Sequence, residues 1–171
     1  KVTKNENLVL SGGVALNSVY NGKILKNTKF KKIWIHPDTG DGGTSIGTAS
    51  YIYHTILENP RKGYLKDAYL GPKYSNEKIK IFLDKNKINY KEFKNNKELI
   101  QETAKFIFNN NVIGWFQGRM EWGPRALGTR SILSNACNPE MKEILNLKVK
   151  HREKFRPFAP VVCEDDALKY F

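Results

Sequence analysis

Residues 114–131, with the sequence GWFQGRMEWGPRALGTRS, constrain this chain more than any other stretch. The apolar run at 112–116 predicts a buried strand, and the segment after it contains three glycines, one proline and three arginines. The chain has six arginines and 23 lysines; five of the arginines fall between 119 and 156, whereas the lysines are spread along the sequence. A guanidinium group suits phosphate and carboxylate oxygens, and glycine lets the backbone approach a ligand closely. The stretch therefore predicts an oxyanion or phosphate pocket on a strand-exit loop.

A network of arginine–glutamate ion pairs on the surface is the alternative explanation of these arginines. Glu121, Glu143 and Glu153 are the available partners. For any single arginine this alternative is preferred, whereas five arginines clustered among glycines favour the pocket. Glu121 itself is expected to pair with a neighbouring arginine rather than to act as a general base.

Length, charge and cysteine content limit the class of protein. A chain of 171 residues can bury one good core or two small ones. The net charge of +12 suggests nucleic-acid binding, but the chain is rich in Lys, Asn and Ile together and has no nucleic-acid-binding motif, so we do not favour that partner. No apolar run reaches membrane-spanning length, there is no signal-peptide pattern, and Cys137 and Cys163 lie in no metal-ligand spacing. We expect a cytoplasmic protein with no membrane partner and reduced thiols.

The first part of the chain twice shows a strand, a glycine-rich loop and a helix. The strand at 8–10 leads into SGGVALN at 11–17 and a helix from Val14 to about Lys26, an order that places backbone N–H groups where an anion can bind. The strand at 33–35 leads into a Gly/Asp loop and a helix from Thr44 to about Leu57. Asp38 and Asp41 could hold a divalent cation, although loop aspartates more often bond their own backbone. Two strands and two helices would leave a sheet edge and an apolar face uncovered without another packing partner.

The remaining chain predicts further helices and strands after a linker or long ordered connection at 58–71. Apolar positions on two of the helices, among them Ile79, Phe82, Ile100 and Phe106, are expected to form core. The predicted elements are a helix capped by Ser75 or Asn76 and ending near 86, a strand at 89–93, a helix at 97–110, a strand at 131–133, a helix from Asn138 to about 145, a strand at 161–162 and a helix at 165–171.

Several of these segments, taken in order, resemble the NodU/TobZ carbamoyltransferase family. They are LSGGVALN at 10–17, GDGGTSIGTA at 40–49, LGPKYS at 70–75, GWFQGRMEWGPRALGTRSIL at 114–133 and VKHREKFRPFAPVV at 149–162. The resemblance implies an α/β (α+β) chain, in which the C-terminal part of an actin-like ATPase-fold domain precedes a YrdC-like domain, both incomplete. It implies an actin-like piece at 1–58, a linker at 59–74 and a YrdC-like domain at 75–171. We also expect a piece of a longer protein, because no initiator methionine is present and the family's H-x-x-x-H motif is missing.

The resemblance implies an enzyme, an O-carbamoyltransferase, and a role for each matching residue. The YrdC-like part would form carbamoyl adenylate from carbamoyl phosphate and ATP, and the actin-like domain would pass the carbamoyl group to a hydroxyl of a sugar or antibiotic-like acceptor. Arg125, Lys150 and Arg156 match the basic residues that hold the phosphates. We do not expect this chain alone to carry out the complete carbamoyl transfer. The residues implied as nucleotide-binding neighbours are Gly12, Gly13, Asn17, Arg119, Arg130, Ser131 and Arg152.

The implied cofactors are ATP, Mg²⁺ and a divalent metal, with Fe²⁺ one candidate, in the actin-like domain. Asp41 matches the aspartate that ligates this metal, whereas His36, His54 and His151 stand alone and do not replace the missing motif. A homo-oligomer is compatible with the sequence. The main rival function is a YrdC-like module that binds RNA or another polyanion through its charge without catalysis, which predicts a steep loss of affinity with salt.

Overall fold

A computed structural model describes residues 3–170 as short helices and two small sheets. Two segments that follow α-helices, Ile52–Ile56 and Leu145–Val149, have π-helical hydrogen bonding. The strands are β1 (Asn7–Leu10), β2 (Lys32–Ile35), β3 (Ile113–Phe116) and β4 (Arg130–Leu133). The helices are α1 (Ser18–Asn27), α2 (Thr44–Tyr51), α3 (Asn76–Lys85), α4 (Asn96–Phe108), α5 (Met141–Ile144) and α6 (Ala167–Tyr170).

The chain divides into two units. Among the described residues, the first unit runs to Phe82 and also includes Phe116–Arg130, and the second comprises Leu83–Trp115 and the chain from Ser131 onward. The arginine-rich loop between β3 and β4 therefore belongs to the first unit. The predicted domain limits at 58 and 75 concern the family's architecture and stay a prediction.

The first unit is built on a parallel β1–α1–β2 crossover. Leu8 pairs with Ile33 and Leu10 with Ile35, in register along the whole strand pair. Helix α1 begins at Ser18 rather than at Val14, because Gly13–Leu16 forms a 3₁₀ turn and the Asn17 side chain accepts a hydrogen bond from the Tyr20 N–H at 3.0 Å. An asparagine that caps a helix in this way satisfies one of the backbone donors that the first turn leaves unpaired.

The second unit contains the 13-residue helix α4 and most residues of β3 and β4. These two strands pair as a two-stranded sheet. The prediction of α4 is confirmed, with Asn95 as its cap. Helix α5 begins at Met141, after Asn138 accepts a hydrogen bond from the Glu140 N–H at 2.9 Å, and continues as the π-helical segment. The predicted C-terminal helix is present as α6, and Phe171 lies outside the described residues.

Two predicted strands are wrong. Residues 89–93 and 161–162 have extended or irregular backbone, and no described strand pairs with either. Alternating side chains at 89–93 do not supply a pairing partner, and Lys91 instead forms an ion pair with Glu102. At 161–162 the preceding Pro160 lacks a backbone donor, which opposes ladder formation.

Few side chains are buried in either unit. The accessible surface is 14391 Å², whereas two separate folded units of half this mass would expose together about 10,300 Å². Val9 and Trp34, opposite each other on β1 and β2, are 66% and 47% exposed, which confirms the expected uncovered apolar face. The core predicted on α3 and α4 is wrong for Ile79, Phe82, Ile100 and Phe106, which are between 42% and 61% exposed. Among the described residues, the buried apolar ones are Ala15, Ile24, Ala68, Met141 and Leu145.

The structure has the mixed α+β class that the sequence predicts, with helices and small sheets. Within residues 3–170, no helix is both long and apolar enough to cross a membrane.

Candidate anion-binding sites

The two glycine loops of the first unit meet at one edge of the β1–β2 sheet. Because these strands are parallel, both loops leave from the carboxyl ends of their strands, where open sheets commonly bind ligands. The Gly12 N–H donates to the Thr39 carbonyl at 2.7 Å and joins the loops directly. Gly12 has φ +92°, and a side chain at Gly12 or Gly13 would meet nothing within 4 Å. The backbone there is therefore open to a ligand.

The loop after β2 folds around Asp38. The Asp38 side chain accepts a hydrogen bond from the Gly40 N–H, as an Asx turn does, and lies so close to Gly42 that a Cβ there would be 2.1 Å from its Oδ2 atom. The alternative reading of Asp38 as a turn residue is therefore confirmed. Asp41 is exposed, and its carbonyl accepts from the Thr44 hydroxyl at 2.6 Å. Among the described residues, no group of three or more His, Cys, Asp or Glu side chains is placed to hold a metal ion.

The arginine-rich loop packs against the β2 exit within the first unit. The Trp122 ring lies edge-on to His36, with centroids 4.8 Å apart, and the Trp122 N–H donates to the Ala68 carbonyl at 2.7 Å. Gly123 has φ +111°, and a Cβ at this position would be 2.7 Å from the Pro37 carbonyl oxygen. A glycine is required here both by the backbone conformation and by the close approach.

Glu121 is the buried centre of this loop. Only 3% of the residue is exposed, and its Oε1 atom accepts hydrogen bonds from the N–H groups of Leu127 and Thr129. Its Oε2 atom lies 3.6 Å from Arg130 Nε, which is an ion-pair distance, and makes no hydrogen bond with a described residue. The expected pairing of Glu121 with an arginine is confirmed.

Arg119 and Arg125 of this loop, and Arg130 where β4 begins, differ in what their guanidinium groups contact. Arg119 donates from Nε to the Gly71 carbonyl at 2.8 Å and from a terminal nitrogen to the Leu70 carbonyl at 3.0 Å. Arg130 donates to the Gly123 carbonyl besides pairing with Glu121. Arg125 is exposed, and its side chain makes no hydrogen bond or ion pair with any described residue. Arg125 is thus the arginine of the loop that is open to a ligand.

The basic loop of the second unit, residues 150–157, is folded around Asn146. This residue is fully buried, and its amide nitrogen donates to the carbonyls of Lys154 at 3.2 Å and Arg156 at 2.9 Å. Its Oδ1 atom accepts from Arg152 Nε at 2.7 Å, and its backbone carbonyl accepts from the Arg152 N–H at 2.9 Å. The guanidinium of Arg152 also lies over the Phe158 ring. Arg152 is therefore part of the loop's internal framework.

Lys150 and Arg156 are the exposed cations of the same loop. The Lys150 ammonium has no partner among the described residues. The Arg156 side chain forms an ion pair with Glu153 at 3.7 Å, between two half-exposed side chains. His151 between them has φ +48°, so the chain turns sharply there. Ser131, the remaining predicted residue of this unit, is half-buried on β4.

Two concave surfaces are lined by residues other than these cations. In the first unit an apolar hollow of about 250 Å³ is lined by residues that include Ile46, Leu70, Glu121 and Trp122. In the second unit a hollow of about 330 Å³ is lined by two glutamates, Lys148 and apolar side chains. Neither is lined by a predicted phosphate-binding residue.

The structure groups the predicted residues within the two units. The first unit holds Gly12, Gly13, Asn17, Asp41, Arg119, Arg125 and Arg130, and the second holds Ser131, Lys150, Arg152 and Arg156. The joint phosphate pocket of Arg125, Lys150 and Arg156 stays a prediction. Sequence reasoning missed Asn146, because one asparagine between two leucines does not reveal burial or bonds to residues up to ten positions away.

Two family models match the chain. The model of the carbamoyltransferase N-terminus matches residues 1–50, and that of the carbamoyltransferase C-terminus matches residues 104–171. The first range contains the two glycine loops. The second contains the arginine-rich loop and the basic loop. The chain belongs to the carbamoyltransferase family, as the sequence motifs predict.

Similar proteins come from several bacteria. The protein sll1178 of Synechocystis is 46% identical over 171 residues, which cover 97% of this chain and 28% of that protein. Nodulation protein NolO of Bradyrhizobium diazoefficiens is 37% identical, over 100% of this chain and 31% of that protein, and nodulation protein U of Rhizobium fredii is 33% identical, over 96% and 26%. The chain thus spans less than a third of the length of these curated relatives.

Proposed function

We propose that this chain is the part of a carbamoyltransferase that binds the phosphate groups of carbamoyl phosphate and ATP. Arg125, Lys150 and Arg156 would make these contacts. The proposal rests on one observation: these three cationic side chains are exposed on their loops and bind no buried group, whereas the guanidinium groups of Arg119, Arg130 and Arg152 are held by the protein's own carbonyl oxygens. Family membership supplies the substrate class.

Charge neutralisation is the chemical contribution of these residues. Carbamoyl phosphate, ATP and the leaving pyrophosphate are polyanions that repel one another, and cationic donors offset this repulsion where negative charge accumulates in the transition state. The guanidinium fork of Arg125 can bind two phosphate oxygens at once, and Lys150 contributes a compact charge on a flexible stem. The product would be carbamoyl adenylate: water would release phosphate from carbamoyl phosphate, and the resulting carbamate oxygen would displace pyrophosphate from the α-phosphate of ATP. Its carbamoyl group would then pass to an acceptor hydroxyl, on a sugar or an antibiotic-like molecule.

The first unit would supply the transfer side of the enzyme. Its parallel crossover and joined glycine loops are compatible with a piece of an actin-like ATPase fold, and Gly12, Gly13 and Asn17 would face the nucleotide. The YrdC-like domain would comprise the second unit together with the arginine-rich loop. In this domain Arg119, Arg130, Ser131 and Arg152 would be neighbours of the phosphates. We place the enzyme in the cytoplasm. A homo-oligomeric assembly is compatible with this proposal.

The metal that the family implies needs ligands beyond those described here. Asp41 would supply one exposed carboxylate, but a single carboxylate is not a donor set for a divalent ion. We therefore derive no step through this metal. Mg²⁺ would enter with ATP, since it binds phosphate oxygens and retains several waters.

Calorimetric titration of the purified chain with carbamoyl phosphate and with ATP–Mg²⁺ tests the proposal. We expect saturable binding that Arg125→Ala and Lys150→Ala each weaken at least tenfold. Arg61→Ala is the matched control, because Arg61 is the arginine outside the cluster and its loss changes the net charge equally. Equal losses in Arg61→Ala and Arg125→Ala, together with heats that fall steeply as salt rises, would support the rival polyanion-binding module.

A further inference from the structure

Asn146 is bonded at every polar position of its side chain. Its two amide hydrogens reach the carbonyls of Lys154 and Arg156, and its carbonyl oxygen is occupied by Arg152 Nε. An asparagine with 0% exposure cannot replace these partners with water, so each lost bond would leave a buried polar group unpaired. A full set of bonds to three alternate residues, 152, 154 and 156, fixes the path of one short segment.

The anchor is itself held firmly. Asn146 lies in the π-helical segment Leu145–Val149, next to the buried Leu145, and the Lys150 N–H donates to the Leu145 carbonyl at 2.8 Å. The Lys154 ammonium pairs with Glu143, one turn before Asn146. The loop therefore leaves the helix at a fixed point and returns to the same helix through side-chain bonds.

The exposed cations are attached to this framework at its two ends. Lys150 directly follows the π-helical segment, and the Arg156 backbone carbonyl is one of the two acceptors of the Asn146 amide. Lysine and arginine lose much rotamer freedom when they bind, so a backbone fixed in advance lowers the cost of ordering them on a ligand.

We propose that Asn146 is a positioning residue that holds the backbone of the basic loop so that Lys150 and Arg156 are presented together to the phosphate of carbamoyl phosphate. This inference rests on the proposed function of these two cations. Asn146 does not touch the ligand. It acts through the carbonyls of Lys154 and Arg156 and through Arg152.

The test compares Asn146→Asp with wild type by calorimetric titration with carbamoyl phosphate. Aspartate keeps the volume and the acceptor for Arg152 but removes the two amide donors, so the loop loses its carbonyl anchors while the Arg152 bond remains. We expect the affinity for carbamoyl phosphate to fall about tenfold, as the loss of one to two such bonds would give. Asn135→Asp is the matched control: Asn135 lies in the same unit, and its side chain bonds Asn110 and Cys137 rather than the basic loop.

A double-mutant cycle separates positioning from general stability. If Asn146 presents Lys150 and Arg156 together, the change Asn146→Asp should lower the affinity less when Arg156→Ala is already present than it does in wild type. Equal losses of affinity in both backgrounds would overturn the proposal. Lys150→Ala separates a failure of the proposed function from a failure of the positioning role. If Lys150→Ala leaves the affinity for carbamoyl phosphate unchanged, the proposed function itself fails. If Lys150→Ala lowers the affinity strongly and Asn146→Asp does not, only the positioning role is rejected.

A measurement on the unmodified chain covers the case in which Asn146→Asp does not fold. In nuclear magnetic resonance spectra, the side-chain amide hydrogens of Asn146 should exchange with solvent much more slowly than those of Asn27, whose amide donates to the Lys23 carbonyl in an exposed position. Adding carbamoyl phosphate should slow the exchange further. Rapid exchange of the Asn146 amide, with or without carbamoyl phosphate, would contradict a preformed anchor.

Discussion

Arg130 Nε lies 3.6 Å from Glu121 Oε2, and the glutamate side chain has no exposed surface. The carboxylate holds two backbone N–H groups of the arginine-rich loop with its other oxygen. The loop that presents Arg125 is therefore closed on itself through one buried charge. The Arg130 guanidinium neutralises that charge, which explains why not every arginine of the cluster is open to a ligand.

Removing Arg130 should cost more stability than neutralising Glu121. Arg130→Gln leaves a buried carboxylate without its cation, and we expect the free energy of unfolding to fall by about 3 kcal/mol. Glu121→Gln keeps an acceptor for Leu127 and Thr129 and leaves a partly exposed guanidinium that water can solvate, so the expected loss is about 1 kcal/mol. Urea denaturation of both variants measures the difference. Equal losses would show that the ion pair is not what stabilises the loop.

Comparing Gly123 with Gly128 tests the close approach of Gly123 to Pro37. Both have strongly positive φ, +111° and +116°, so alanine should cost on the order of 1–3 kcal/mol of backbone strain at either position. Only at Gly123 would the new Cβ also lie 2.7 Å from the Pro37 carbonyl oxygen, whereas at Gly128 it meets nothing within 4 Å. We therefore expect Gly123→Ala to lower the melting temperature more than Gly128→Ala. A reversed order would contradict the packing of this loop on the β2 exit.

Asn17 has a structural role that can be separated from its proposed role at the nucleotide. Asn17→Ala removes the cap of α1 and should cost about 1 kcal/mol, whereas Asn17→Ser retains a capping oxygen and should cost a few tenths at most. The measurements are chemical denaturation and ATP–Mg²⁺ affinity. If Asn17→Ser is as stable as wild type but binds ATP–Mg²⁺ more weakly, the amide itself contacts the nucleotide. Unchanged affinity in Asn17→Ser would reduce Asn17 to a helix cap.

Helix α3 should lose part of its N-terminal stability in acid. The Glu77 carboxylate accepts a hydrogen bond from its own backbone N–H and a second, less important one from the Ser75 hydroxyl. These two bonds hold the pKa of Glu77 below its ordinary value of 4.5. Because the folded pKa is the lower one, this stabilisation is complete above the unfolded value and is lost as the pH falls through the folded value. Exchange of the Lys78 amide, which donates to the Ser75 hydroxyl, should accelerate over that acidic range relative to its intrinsic rate. In Glu77→Gln this additional acceleration should be absent.

The sequence determined the elements whose signals are local. Strands β1, β2, β3 and β4 were predictable from short apolar runs, and α3 and α4 from their caps and helical periodicity. The motifs also identified the family, because GWFQGRMEWGPRALGTRSIL and VKHREKFRPFAPVV are long and specific. The predicted strand at 89–93 failed because alternation describes one strand's side chains and cannot show whether a second strand is present to pair with it.

Tertiary structure alone decided which cations are free. Arg119, Arg125 and Arg130 are equivalent in sequence, but two of them donate to carbonyls at Gly71, Leu70 and Gly123 and one does not. The same holds for Asn146, which becomes an anchor only because the chain folds back over it at Lys154 and Arg156. Sequence fixes which hydrogen-bond donors and acceptors a residue carries, whereas burial and distance determine whether they meet another part of the protein or remain available to a ligand.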